Sequence, residues 1–162
     1  MKIVVFGFKS SGKTTFGSLL ANHLSLPFLD LDALLLAQHQ NQKSITDLFF
    51  ELKEDIFREQ ESILLKEICK KAPIVLSLGG GSLDLLKNRD YIQDFDQKIF
   101  LDVSFETVLK RILPFKNYPY REGMKEKYEK RVYLFKLLAN IHLTINTLEP
   151  QEILDLWKKN AF

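Results

Sequence analysis

A single cysteine, Cys69, leaves the chain no internal disulfide to staple its fold, which suits a reducing compartment. Three histidines, His23, His39 and His142, are scattered without ligand spacing, so no zinc site is suggested. Charge of neither sign dominates. The formal balance is +2 and no segment is an unbroken Lys/Arg tract, which argues against a nucleic-acid partner. No apolar run approaches the roughly 18 residues needed to span a bilayer, so no membrane association is expected. A basic-then-apolar leader is missing as well, because the first strand-like run starts at residue 2. These absences lead to the expectation of a complete, cytoplasmic chain. Its 162 residues suit one domain with a real core. Cys69 itself falls in a helix-like stretch and reads as a small core residue rather than a nucleophile.

What is present is a phosphate-binding loop. Gly7-Phe8-Lys9-Ser10-Ser11-Gly12-Lys13-Thr14 fits G-x-x-x-x-G-K-[ST] without a mismatch. The apolar run Ile3 to Phe6 precedes it and the helix-like run Thr15 to Leu24 follows. A strand–loop–helix unit aims successive backbone N–H groups at one spot, at the positive end of a helix dipole. Ser10, Ser11, Gly12, Lys13, Thr14 and Thr15 are therefore the nucleotide-binding candidates. Lys13 reaches toward the β- and γ-phosphates of ATP, and the Thr14 hydroxyl is a ligand for Mg²⁺.

Short apolar runs alternate with helix-period stretches along the rest of the chain, the pattern of a parallel sheet covered by helices on both faces. Strands are expected at Lys2–Phe6, Pro27–Leu31, Ile74–Leu78, Lys98–Leu101 and His142–Ile145. Helices are expected at Lys13–Leu24, Leu48–Lys71, Phe105–Ile112, Met124–Leu138 and Gln151–Lys158. In the last of these, Ile153, Leu154 and Trp157 form an apolar stripe that should dock on the core. Two stretches fall outside the alternation: Ala33 to Glu61, and Leu113 to Gly123, rich in Pro, Tyr, Gly and charge. In phosphate-binding folds such insertions carry acceptor specificity and lid closure.

Asp30 and Asp32 stand two apart at the end of the second strand-like run, so on a strand both face one cleft. One can orient Mg²⁺ through its waters and the other can accept a hydrogen bond from an acceptor hydroxyl. Asp32 can also cap a helix beginning at Ala33. Gly79, Gly80 and Gly81 follow the third strand and bring bare backbone close to an anion. Arg58 and Glu61, at i and i+3 of a helix, can pair. Held in a cleft rather than exposed, that guanidinium is a bidentate trap for a carboxylate, with Arg131 as a second cation.

These motifs occur in the order seen in shikimate kinases. The resemblance rests on the phosphate loop, Asp30-x-Asp32, Ser44-Ile45 with Phe49, Phe57-Arg58-x-x-Glu61, Leu76 to Gly81, Asn88-Arg89 and Arg131, and it covers nearly the whole chain. It implies a three-layer α/β/α fold of the P-loop kinase type, with a five-stranded parallel sheet, an acceptor-binding insertion at about 33–61 and a lid at about 112–124. It implies transfer of the ATP γ-phosphate to the 3-hydroxyl of shikimate, by a chain that needs no second subunit and is expected to be a monomer. Asp32 would contact the reacting hydroxyl and Asp30 would support the magnesium shell. Arg58, Arg131 and the backbone of Gly79, Gly80 and Gly81 would grip the shikimate carboxylate. Ser77 takes the place where other phosphate-loop enzymes carry an aspartate. Arg111 resembles the arginine that lies against adenine, and Pro150 marks the adenine-side loop.

Three departures accompany the resemblance. The family's glycine before the matched arginine is missing, with Lys53-Glu54-Asp55 in that region. The adenine-side loop has Leu148 in place of a basic residue. The usual Arg-Pro-Leu-Leu of the lid is absent too, which leaves Lys116 or Arg121 as candidates for the missing catalytic cation. The altered lid is the one feature that favours a non-catalytic binding protein. The Arg58/Glu61 pair with the triple glycine argues against a related enzyme such as gluconate kinase.

Overall fold

In a computed structural model of the chain, residues 1–39, 43–113, 122–145 and 149–161 are described. Five parallel strands form one sheet: β1 (Lys2–Phe6), β2 (Phe28–Asp30), β3 (Ile74–Ser77), β4 (Gln97–Asp102) and β5 (Ile141–Thr144), in the order β2-β3-β1-β4-β5. The helices are α1 (Lys13–Leu24), α2 (Leu31–Ala37), α3 (Ile45–Ile68), α4 (Leu86–Tyr91), α5 (Phe105–Ile112), α6 (Met124–Leu138) and α7 (Pro150–Asn160).

The period-2 geometry of a strand explains the two cores. Ile3 and Val5 of β1 join α1 and α7 on one face, with Phe16, Leu20, Ile153 and Trp157. Val4 and Phe6 join α3 and α6 on the other, with Leu65, Ile68 and Phe135. All four named β1 residues are fully buried, as a central parallel strand covered on both faces requires. Trp157 docks as its stripe predicts and donates its indole N–H to Gln97 Oε1 at 2.9 Å. Cys69 packs, partly buried, at the end of α3, where burial pushes its thiol up to about 11 and keeps it protonated.

The register sets up the site. Val5 pairs with Ser77, and Ser77 with Asp30. The carboxyl ends of β1, β3 and β2 therefore stop at one height, and the loops that follow open into one crevice. Among the described residues no helix is long and apolar enough to cross a membrane.

Every expected strand forms, with no end shifted by more than one residue. Helices α2 and α4, of 7 and 6 residues, escape a periodicity reading because each spans two turns or fewer. The second long helix starts at Ile45, earlier than expected, because Ser44 caps it: the Ser44 hydroxyl accepts from Asp47 N at 3.1 Å.

That helix is not continuous. Lys53 adopts φ 62°, ψ 158°, a region that is essentially glycine's alone. The kink falls within Lys53-Glu54-Asp55, the stretch from which the family's glycine is missing, so the chain bends there without the residue that suits a bend. Lys53 is exposed. Lys53→Gly should therefore stabilise the fold by about 1 kcal/mol, the strain relieved less the entropy of glycine in the unfolded chain. An upward shift of the urea midpoint at constant slope is the expected result.

Candidate active site

The glycine-rich loop leaves β1 after Phe6 and re-enters structure at Lys13. Gly12 precedes α1 at φ 91°, a left-handed conformation that costs glycine nothing. Lys13 is buried within the curl and donates from Nζ to Phe8 O at 2.9 Å. Burial pushes its ammonium down to about 8, while Asp32 and Asp30 pull the other way. Thr14 Oγ1 donates to Asp30 Oδ2 at 2.6 Å. Hydroxyl and carboxylate oxygens side by side at the phosphate loop are the hard donor set that Mg²⁺ prefers, so these residues fit that ion.

Asp30 does two things at once. Its other oxygen accepts from Ala33 N at 3.0 Å and caps α2. This corrects two expectations. The cap is Asp30 rather than Asp32, and the two carboxylates do not share a strand, because the chain turns helical at Leu31. Asp32 reaches the cleft from the first turn of α2 instead. Its Oδ1 lies 2.6 Å from where a Cβ on Gly79 would stand. Burial pushes the Asp32 carboxyl up to about 6, the negative charge of Glu61 adds to this, and Lys13 opposes it.

The far wall is built from two arginines. Arg58 Nη1 donates to Glu61 Oε2 at 2.8 Å, and Glu61, fully buried, also accepts from Ser82 Oγ at 2.6 Å. The rings of Phe49 and Phe57 lie 5.7 and 5.3 Å from the Arg58 guanidinium. Arg131 Nη2 donates to Asp84 Oδ2 at 2.6 Å. A Cβ on Gly81 would fall against Arg58 Nη2 and 2.7 Å from Arg131 Nη2. Both forks therefore meet over bare backbone.

These groups surround one cavity of about 360 Å³. Ser10, Gly12, Lys13, Thr14 and Thr15 line one side of it. Asp30, Asp32, Arg58, Gly79, Gly80, Gly81 and Arg131 line it as well. Three expected residues do not border it. Ser11 is buried under the loop, with its Oγ 2.8 Å from where a Cβ on Gly7 would be. Arg111 Nη1 donates to Ser10 O at 2.8 Å. Pro150 opens α7, the helix that packs on α1. Lys116, Arg121 and Leu148 lie outside the described residues.

Lys9 is a lining residue that sequence reasoning passed over. It occupies a variable position of the loop motif, yet it borders the cavity, and burial lowers its pKa against the pull of Asp32. Asn88 explains its own place in the motif list. It accepts from Ser62 Oγ at 2.6 Å and donates to Ser82 O at 2.7 Å, holding the glycine turn to α3.

Residues 9–159 match the shikimate kinase family. The chain belongs to that family. It is 38% identical over 160 residues to a shikimate kinase of Enterococcus faecalis, a match that covers 94% of each chain. It is also similar in structure to shikimate kinase from Bacteroides thetaiotaomicron, with a TM-score of 0.84, 25% identity and coverage of 100% and 99% of the two chains. Shikimate kinase from Acinetobacter baumannii in complex with shikimate superposes with a TM-score of 0.82 at 27% identity, over 99% and 94%. The five-stranded parallel sheet and the phosphate loop are thus those of an ATP-dependent kinase that phosphorylates shikimate.

Gly81→Ala tests the meeting point of the two forks. The added methyl has room only if flexible guanidinium ends move, so the fold should survive while the shikimate KM rises about tenfold, the worth of a charge-assisted contact. Thermal melting and steady-state kinetics on the same preparation check both halves.

Proposed function

We propose that the chain transfers the γ-phosphate of ATP to the 3-hydroxyl of shikimate, giving shikimate 3-phosphate and ADP, and that the residues gathered at the cavity divide this work as follows. The observation that carries the assignment is the convergence of Arg58 and Arg131 on Gly81, across the cleft from Lys13 and Asp32. Paired guanidinium forks over bare backbone suit a planar carboxylate. An acceptor anchored there extends its ring toward Asp32.

The phosphate loop and Lys13 hold the triphosphate, and Lys13 exchanges its bond to Phe8 O for phosphate oxygen. Thr14 and Asp30 would hold Mg²⁺, which when bound supplies charge neutralisation to the phosphates. Asp32 accepts a hydrogen bond from the acceptor hydroxyl and takes its proton as the oxygen attacks phosphorus. Phosphoryl transfer of this kind depends mainly on position and on neutralised charge, and both are concentrated here. The insertion at 33–61 supplies Arg58 and Glu61, and a lid at 112–124 would exclude water, with Lys116 or Arg121 as its cation. Arg111, tied to Ser10, and Pro150 belong to the adenine side. A cytoplasmic location is in keeping with the single half-buried thiol, and the monomer that the resemblance implies is kept as part of this proposal.

ADP release from ATP–Mg²⁺ should be stimulated by shikimate and not by gluconate. Lys13→Met should abolish it, and Arg58→Ala should raise the shikimate KM by at least about tenfold with a smaller effect on the ATP KM. An unchanged shikimate KM in Arg58→Ala would remove the carboxylate assignment.

The pH profile provides a separate check. Asp32 can accept a proton only when ionised, and its carboxyl is pushed up to about 6. The kcat/KM for shikimate at saturating ATP should therefore fall as pH drops through about 6 and level off above it. Asp32→Asn should lose roughly a hundredfold or more in rate and show no limb there.

A further inference from the structure

Two carboxylates face the two arginines of the far wall, and only one of them follows from a sequence motif. Glu61 lies three residues from Arg58 on the same helix. Asp84 reaches Arg131 across 47 residues, and its contact is the more extensive of the two. Arg131 Nε lies 3.1 and 3.2 Å from Asp84 Oδ1 and Oδ2, and Nη2 lies 2.6 Å from Oδ2. The Arg131 side chain is 7% exposed and that of Asp84 39%, so one end of this bridge is buried and the other meets solvent.

Asp84 is itself firmly held. It ends a single turn of 3₁₀ helix, Ser82–Asp84, and its N–H donates to Gly81 O at 3.0 Å. Arg89 of α4 donates to Leu83 O at 2.8 Å and to Asp84 O at 3.1 Å. A carboxylate on a pinned turn is a good template for a long side chain, because the ordering entropy of the arginine is lost before the ligand arrives. Two donors on two oxygens also set the plane of the guanidinium, which a single contact does not. Beneath it the Phe8 ring lies 5.6 Å from the Arg131 guanidinium carbon.

We propose that Asp84 is a positioning residue of the acceptor site: by gripping the Nε–Nη2 edge of Arg131 it sets the plane of the guanidinium and holds Nη2 over Gly81, where the acceptor carboxylate meets it. The inference rests on the reading of Arg131 as a carboxylate anchor. It has a consequence for specificity. Each arginine comes with its own carboxylate, so the anchor offers oriented donors with little net positive charge. Such a site selects a carboxylate by geometry, and an anion of different shape gains little from it.

The test compares Asp84→Ala, Asp84→Asn, Arg131→Ala and the double variant Asp84→Ala/Arg131→Ala by steady-state kinetics in both substrates. Asp84→Ala is expected to raise the shikimate KM about tenfold, with kcat and the ATP KM within about twofold of the unaltered chain. Asp84→Asn, isosteric and still an acceptor at one oxygen, should recover part of that loss. In the Arg131→Ala background the Asp84 change should add nothing. A shikimate KM that is unchanged or lower in Asp84→Ala, while Arg131→Ala raises it, overturns the positioning role and leaves the anchor intact. An Asp84 effect of equal size with or without Arg131 overturns it too. If Arg131→Ala itself leaves the shikimate KM unchanged, the anchor assignment fails and the positioning role falls with it. Should Asp84→Ala fail to fold, Asp84→Asn decides: a shikimate KM at or below that of the unaltered chain overturns the proposal.

Discussion

Glu61 is the buried charge on which the site depends. It is fully shielded from solvent and accepts from Arg58 and from Ser82. Truncating one partner of such a pair leaves an uncompensated buried charge, typically a loss of about 3 to 5 kcal/mol. The consequences spread from there. Arg58 takes its orientation from Glu61, the Ser82 bond ties down the end of the glycine turn, and the negative charge of Glu61 helps keep the Asp32 carboxyl protonated to an unusually high pH. One side chain thus connects the Arg58 fork, the glycine turn and Asp32.

Sheet topology explains why so many unlike groups come together. With β1 central and its carboxyl end level with those of β3 and β2, three successive connections open at the same height. The first carries the phosphate loop, the second Asp30 and Asp32, the third the triple glycine. None of these segments is long. Their proximity comes from the strand order, and the helices packed on both faces hold that order in place.

The sequence is most legible where chemistry demands backbone geometry. The phosphate loop needs glycine at Gly12 and a lysine next to it, and the triple glycine needs absent side chains at Gly81, so both leave a compositional mark. Strand positions were readable because β1 and β3 are buried on both faces. Legibility failed where one residue decides a boundary. Asp30 and Asp32 look like a strand pair, and only the helical turn at Leu31 reassigns the cap to Asp30. The missing glycine near Lys53 was visible, but a letter does not show that the bend persists without it. The partner of Arg131 was not legible at all, because Asp84 belongs to an undistinguished stretch and meets it only through folding. Lys9 was hidden by a motif that treats its position as variable.

Asp30 touches both halves of the cleft with a single carboxyl group. One oxygen bonds the hydroxyl beside the nucleotide loop, and the other caps the helix that carries Asp32. A ligand that draws on the first oxygen would act on the second as well, and with it on the helix start that carries Asp32. On the proposed reading, nucleotide and acceptor sites are therefore linked through Asp30. Any factor that one substrate imposes on the other through this contact must be returned in equal measure.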